Sequence, residues 1–353
     1  MIHRYFVINS PSFYNFIVVL DKNYPLIDLH RHLDGSVRLQ TILELGKQHH
    51  LSLPAADLEG LRPFVQVTDA QPGIMAFIER FKWMTGILVD YDACRRIGYE
   101  NVLDAKIEGI DYIELRFSPL FMAQAHNLEP ANIVGAIADG IRQGVEETGI
   151  KVNLIGILSR HFGPREAMHE LNALLARKND FVGLDLAGDE ANFPGELFMD
   201  HFRIARDSGW QITVHAGEAA GAESIWQAIQ GLGAVRIGHA VRLFDDPGLV
   251  EYVIEHHIGI ETNLTSNVQT STVPSYVAHP LKAMLEAGML ATINSDDPGI
   301  SNITLPYEYE VAAPKAGLTA EQIKQAQKNA LEIAFLSGAD KKALLRSKQL
   351  KPS

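Results

Sequence analysis

The sequence predicts one (β/α)8 barrel of the TIM type, an α/β fold, with extra helices inserted after the first strand. Three observations carry that prediction: eight short β-rich runs, helical periodicity in most of the intervals between them, and polar residues closing the runs. The runs span 25–35, 111–119, 151–160, 181–190, 210–218, 234–241, 258–267 and 289–299. Each is short enough for a strand and is bounded by turn-forming residues.

The elements follow in order. PLIDLHRHLDG supplies the first strand, and about eighty residues then pass before DYIELRFSP supplies the second. That interval carries helical patterns (LQTILELGKQHH, GIMAFIERFKWMTG, DACRRIGYENVLDAKIEG), so it is too structured for a linker. The part before Tyr91 reads as extra helices over the barrel mouth, and Ala93 to Glu108 as the regular helix of the first unit. Amphipathic segments such as ANIVGAIADGIRQGVEETG and AESIWQAIQGLG separate later strands, and LTAEQIKQAQKNALEIAFL and KKALLRSKQLK add helices after the eighth. No internal repeat or Pro/Gly/Ser-rich linker divides the chain, so residues 25–353 are expected to form a single catalytic barrel domain. Residues 1–24 read as an N-terminal arm of unknown role, an added strand or loosely ordered segment rather than a signal peptide, because polar residues interrupt its apolar stretch.

Composition narrows the function. The 353 residues are 46% hydrophobic and 21% charged, ordinary for a globular chain with a large core. A net charge of −12 offers no broad positive field for a phosphate backbone, so nucleic acid is not an expected partner. Nor is a membrane, since no segment is long and apolar enough to span one. Cys94 is the one cysteine, which excludes a disulfide framework or a site built on several thiolates and points to the cytoplasm.

The chemistry lies at the run ends. His30 and His32 stand two apart on the first strand, so their side chains share one face, which in a barrel is the lumen. Alone, the pair is equally consistent with two satisfied polar residues and with metal ligands. His215 closes the fifth run and Asp296 the eighth. Three imidazoles and a carboxylate at strand C-termini make a catalytic metal site, with zinc accepting such N and O ligands. Glu218 follows His215 by three positions in HAGE, and His239 ends the sixth run.

HRHLDG (30–35), LDLAGDE (184–190), TVHAGE (213–218), RIGHAV (236–241), LTSN (264–267) and NSDDPG (294–299) together resemble the adenosine deaminase family in order and spacing. DACRR, YIELRFSP and AESIWQAI are similar to its bacterial branch. The resemblance implies one Zn²⁺ per chain held by His30, His32, His215 and Asp296. It implies Glu218 as proton donor to purine N1 and His239 as the group that orients and deprotonates the attacking water. Asp297 would contact N7, the Gly188 N–H would reach N3, and Asp34 would hold a ribose hydroxyl, with His32 also lining the substrate pocket. Glu218 must then be protonated at rest, and Asp297 must carry a proton beside an ionised Asp296. Asp185 is a candidate support for a metal-bound histidine, and equally a structural carboxylate.

The implied activity is hydrolytic deamination of adenosine and 2′-deoxyadenosine by a monomer or weak homo-oligomer. Related deaminases of adenine, aminofutalosine compounds or N6-methyl-AMP share the metal logic, and a catalytically silent purine-binding barrel is the rival from another class. Cytidine-deaminase zinc sites need at least two cysteines and are excluded. Two positions depart from the bacterial pattern: Asn263 replaces a usual cysteine and Ala240 a usual glycine. Both are expected to affect only packing behind the sixth and seventh strands.

Overall fold

All eight runs become strands. The computed structural model describes residues 20–67, 69–70 and 77–350. In it the strands are β1 (Ile27–His32), β2 (Tyr112–Phe117), β3 (Lys151–Ser159), β4 (Phe181–Ala187), β5 (Gln211–Ala216), β6 (Arg236–His239), β7 (Gly259–Thr262) and β8 (Leu290–Ile293). They lie in sequence order, and every neighbouring pair is parallel. The ring closes just beyond β8, where Asp296 N–H donates to the His30 carbonyl at 2.8 Å and His32 N–H donates to the Asp296 carbonyl at 2.8 Å. Residues 1–19 lie outside the described residues, and with them most of the expected N-terminal arm.

Helices cover the strands from outside, as parallel sheets require. The helix of the first unit spans Tyr91–Ile107, two residues earlier than the sequence suggests, because the Asp90 side chain caps it by accepting from Ala93 N–H. The insertion after β1 contains helices Leu39–Gln48 and Leu58–Val65 and short turns over Glu79–Phe81 and Lys82–Thr85. AESIWQAIQGLG is not one regular helix: it is α-helical over Ala222–Trp226 and widens to a π-helix over Gln227–Leu232. The helices after β8, Ala320–Ile333 and Gly338–Gln349, form as expected, and Ala330, Leu331 and Leu344 join Ile27 and Leu29 of β1 in one apolar cluster. Gln327 ties residues Asp21 and Tyr24 to the same helix. Among the described residues, no helix is long and apolar enough to cross a membrane.

The later strands are shorter than their runs. His239, Ala240 and Asp296 take positive φ angles of 66°, 51° and 60°, which turn the chain off the sheet and out over the barrel mouth. The LTSN stretch leaves the strand for a helix, Leu264–Gln269. These departures set the polar run ends into loops at one face of the barrel.

Candidate active site

β1 presents His30 and His32, β5 presents His215, and the turn beyond β8 presents Asp296. One ligand atom from each lies within 4.8 Å of the others, and all four residues are buried. His215 Nε2 is 3.1 Å from Nε2 of both His30 and His32. Asp296 Oδ1 is 3.3 Å from the same two nitrogens. A tetrahedral ion with bonds of about 2.0–2.1 Å separates its ligands by roughly 3.3 Å, so the donor set fits a metal in both chemistry and spacing.

The far side of two imidazoles is fixed. His30 Nδ1 lies 2.7 Å from Glu261 Oε2, and His215 Nδ1 lies 2.9 Å from Asp185 Oδ2. Both carboxylates meet Arg116, whose guanidinium reaches Asp185 at 2.8 Å and Glu261 at 2.7 Å. Burial works to raise the pKa of each carboxyl, but His215 and Arg116 outweigh it at Asp185, and Arg116 and Arg236 outweigh it at Glu261, holding both well below the usual range. A carboxylate on Nδ1 turns the Nε2 lone pair toward the centre. Asp185 is therefore a support for His215. Sequence reasoning missed Glu261 and Arg116, although each is a charge on an inward-facing strand position.

Glu218 and His239 stand beside the histidines. Burial, then the charges of Asp296 and Glu190, push the Glu218 carboxyl well above its usual pKa. Burial pushes His239 well below that of free imidazole, leaving it neutral. Asn267 of the LTSN helix places Nδ2 2.9 Å from His239 Nδ1 and 3.4 Å from Glu218 Oε1, a bridge that the sequence reading did not assign. Of the two departures, Asn263 reaches the site, while Ala240 stays in the packed core, as expected. Asn263 puts Nδ2 3.4 Å from His239 Nδ1 and leaves Oδ1 without a partner, and Ala240 holds a left-handed conformation in which a Cβ is strained.

Asp34 and Asp297 occupy the adjoining wall. Burial raises the Asp34 carboxyl to about 7, and it accepts from Ser118 N–H at 3.3 Å while its Oδ1 lies 3.9 Å from His32 Nδ1. Burial and the neighbouring Asp296 charge push Asp297 well above its usual range, and its Oδ1 is unpartnered. Gly35 makes that position possible: a Cβ there would sit 1.7 Å from Asp297 Oδ1. His32, Asp34, Gly188, His215, Glu218, His239, Asp296 and Asp297 all line one cleft of about 660 Å³, of which Phe77 and Phe81 from the insertion form an apolar wall. His30 lies beneath it, fully buried. This lining, apolar on one wall and polar on the other, suits a small organic molecule with both apolar and polar parts.

Comparison with known proteins agrees with this geometry. An adenosine deaminase from Edwardsiella ictaluri is 56% identical over 332 residues, 94% of this chain and 100% of that one. An amidohydrolase from Burkholderia ambifaria, solved with bound Zn, is 25% identical with a TM-score of 0.84, covering 93% of this chain and 90% of its own. An adenine deaminase from Arthrobacter aurescens shares the fold at a TM-score of 0.85 and 24% identity, over 92% of this chain and 98% of that one. The family profile described as adenosine deaminase matches residues 25–349, and the chain belongs to that family.

Proposed function

We propose that the protein is a zinc-dependent hydrolase that converts adenosine and 2′-deoxyadenosine to inosine and 2′-deoxyinosine, releasing ammonia. The observation that carries this reading is the convergence, in one cleft, of a four-residue metal donor set with two carboxyls raised by burial, Glu218 and Asp297. His30, His32, His215 and Asp296 would hold one Zn²⁺ per chain, which would supply the Lewis acidity that makes water nucleophilic near neutral pH.

The chain's own residues do the rest. Glu218, kept protonated by burial, places its proton at purine N1, which lowers the barrier to attack at C6. Neutral His239 accepts a proton from the attacking water. Asp297 donates to N7, an acceptor that an ionised carboxylate would repel. The Gly188 N–H faces N3, and Asp34 Oδ1 meets a ribose hydroxyl. Residues 25–353 act as one catalytic unit, as a monomer or weak homo-oligomer. The reducing cytoplasm suits a chain with the single buried thiol of Cys94.

An absorbance assay with adenosine, 2′-deoxyadenosine, adenine and AMP tests the substrate, and elemental analysis tests the metal. Adenine leaves Asp34 unpaired, and a site built to bond a hydroxyl rejects an analogue lacking it by as much as ~10⁴-fold. AMP brings roughly two negative charges toward Asp34. Comparable efficiency on adenine or AMP overturns the nucleoside reading, and two metal equivalents in fully active protein overturn the single-zinc reading.

A further inference from the structure

The loop that carries Glu218 is wrapped around another carboxylate. Glu190, at the end of LDLAGDE in the loop after β4, is buried and reaches across to the loop after β5. Its Oε1 accepts from Gly217 N–H at 2.6 Å and from the Ser224 hydroxyl. Its Oε2 accepts from the N–H groups of Glu218 at 3.1 Å, Ala219 at 2.6 Å and Ala220 at 3.1 Å. Four consecutive peptide N–H groups thus point at one side chain, and Gly217, at φ 68°, supplies the left-handed turn that lets them converge. The Ser224 hydroxyl also receives Gly217 N–H at 2.8 Å, so the same oxygen atom and its neighbour pin the loop twice.

This network exceeds what a surface turn needs. Ionised acceptors make roughly twice as strong a hydrogen bond as neutral ones, and here the peptide units on both sides of Glu218 are held by them. A side chain whose own backbone is fixed before and after its Cα has little freedom to leave the site. We infer that Glu190 is the positioning residue for Glu218: it fixes the loop Gly217–Ala220 so that the proton on the Glu218 carboxyl stays in line with the purine ring. The inference rests on the proton-donor reading of Glu218 given above. Glu190 touches neither the ring nor the metal donors, so it acts only through Glu218. Its charge also adds to burial and to Asp296 in raising the Glu218 carboxyl.

A double-mutant cycle tests it. Glu190→Gln keeps the shape of the side chain but turns an NH₂ group toward backbone donors. Because small misplacement of a reacting group costs up to about 100-fold, kcat should fall by about 10–100-fold, with KM within about threefold of wild type and zinc content unchanged. In a Glu218→Gln background, adding Glu190→Gln should lower kcat by less than about twofold, since the group that it positions can no longer deliver a proton. Ser224→Ala, a milder change, should show the same pattern at smaller size and serves if Glu190→Gln folds poorly. Additive losses, a rise in KM that accounts for the lost efficiency, or loss of zinc would each overturn the inference. A Glu218→Gln enzyme that keeps its turnover overturns the proton-donor reading itself, whereas an inactive Glu218→Gln with an unimpaired Glu190→Gln overturns the inference alone.

Discussion

The barrel holds two populations of buried carboxyl groups. In the lumen beneath the histidines, Asp185, Glu261 and Glu114 each meet a guanidinium, from Arg116 or Arg236, at 2.6–2.8 Å. Around the mouth, Asp34, Glu170 and Glu308 are held by hydroxyl and amide donors, and burial raises them to about 7, 7 and 8. Glu218 and Asp297 rise further. Equal burial thus gives opposite protonation at Asp185 and Glu261 on one side and at Glu218 and Asp297 on the other, and the difference is the guanidinium fixed beside the first two. The lower layer spends its charge on holding imidazoles still. The upper layer keeps protons and an unpaired acceptor, Asp297 Oδ1, facing the cleft.

Mutations can break this contrast or sharpen it. The largest effect is expected in the lower layer: Arg116→Met leaves Asp185 and Glu261 short of a partner and should cost about 3–5 kcal/mol in urea unfolding, with weakened metal retention in a chelator competition. An unchanged unfolding midpoint would show that the ion layer is not a scaffold. In the upper layer, Glu218→Gln should leave unfolding nearly unchanged while lowering turnover by at least about 100-fold, and His239→Ala should behave alike. Should either lose stability instead, the division between the layers fails.

A smaller effect concerns pH. Glu308 has a folded pKa of about 8 against an ordinary 4.5, so the folded state binds the extra proton between these values. Its contribution is therefore full below about pH 4.5 and is lost as pH rises through 8, with a slope of at most about 1.4 kcal/mol per pH unit. Glu308→Gln should flatten the dependence, and identical wild-type and variant curves from pH 5 to 9 would place the titration elsewhere. The smallest effect is Ala240→Gly, which relieves a left-handed Cβ and should stabilise by about 0.5–1 kcal/mol after the entropy of the extra glycine is counted. A loss of stability would mean that the methyl packing outweighs the strain.

The strands were legible because period-two alternation and polar run ends are local signals, and the same alternation placed His30 and His32 on one side of β1. The donor set followed from the strand order. What the sequence could not tell is which lumen charge meets which. Glu114, Arg116, Asp185 and Glu261 sit on three strands, and their pairing depends on the closure of the ring. Nor did periodicity show that LTSN turns into a helix that carries Asn267 to His239, because a helix of six residues is too short to display a period. Asn263 was read as packing because only the fold brings β7 beside the end of β6.

The seam of the ring has a consequence in time. The strand that bears two histidines is made early, yet it is zipped shut by residues such as Asn294, whose side chain accepts from Leu29 N–H 265 positions away. At about 5–20 residues per second, a ribosome needs roughly 15–50 seconds to bridge that gap. During this interval His30 and His32 have no Asp296 to face. A metal could therefore meet the full donor set only after the segment bearing Asp296 has been made.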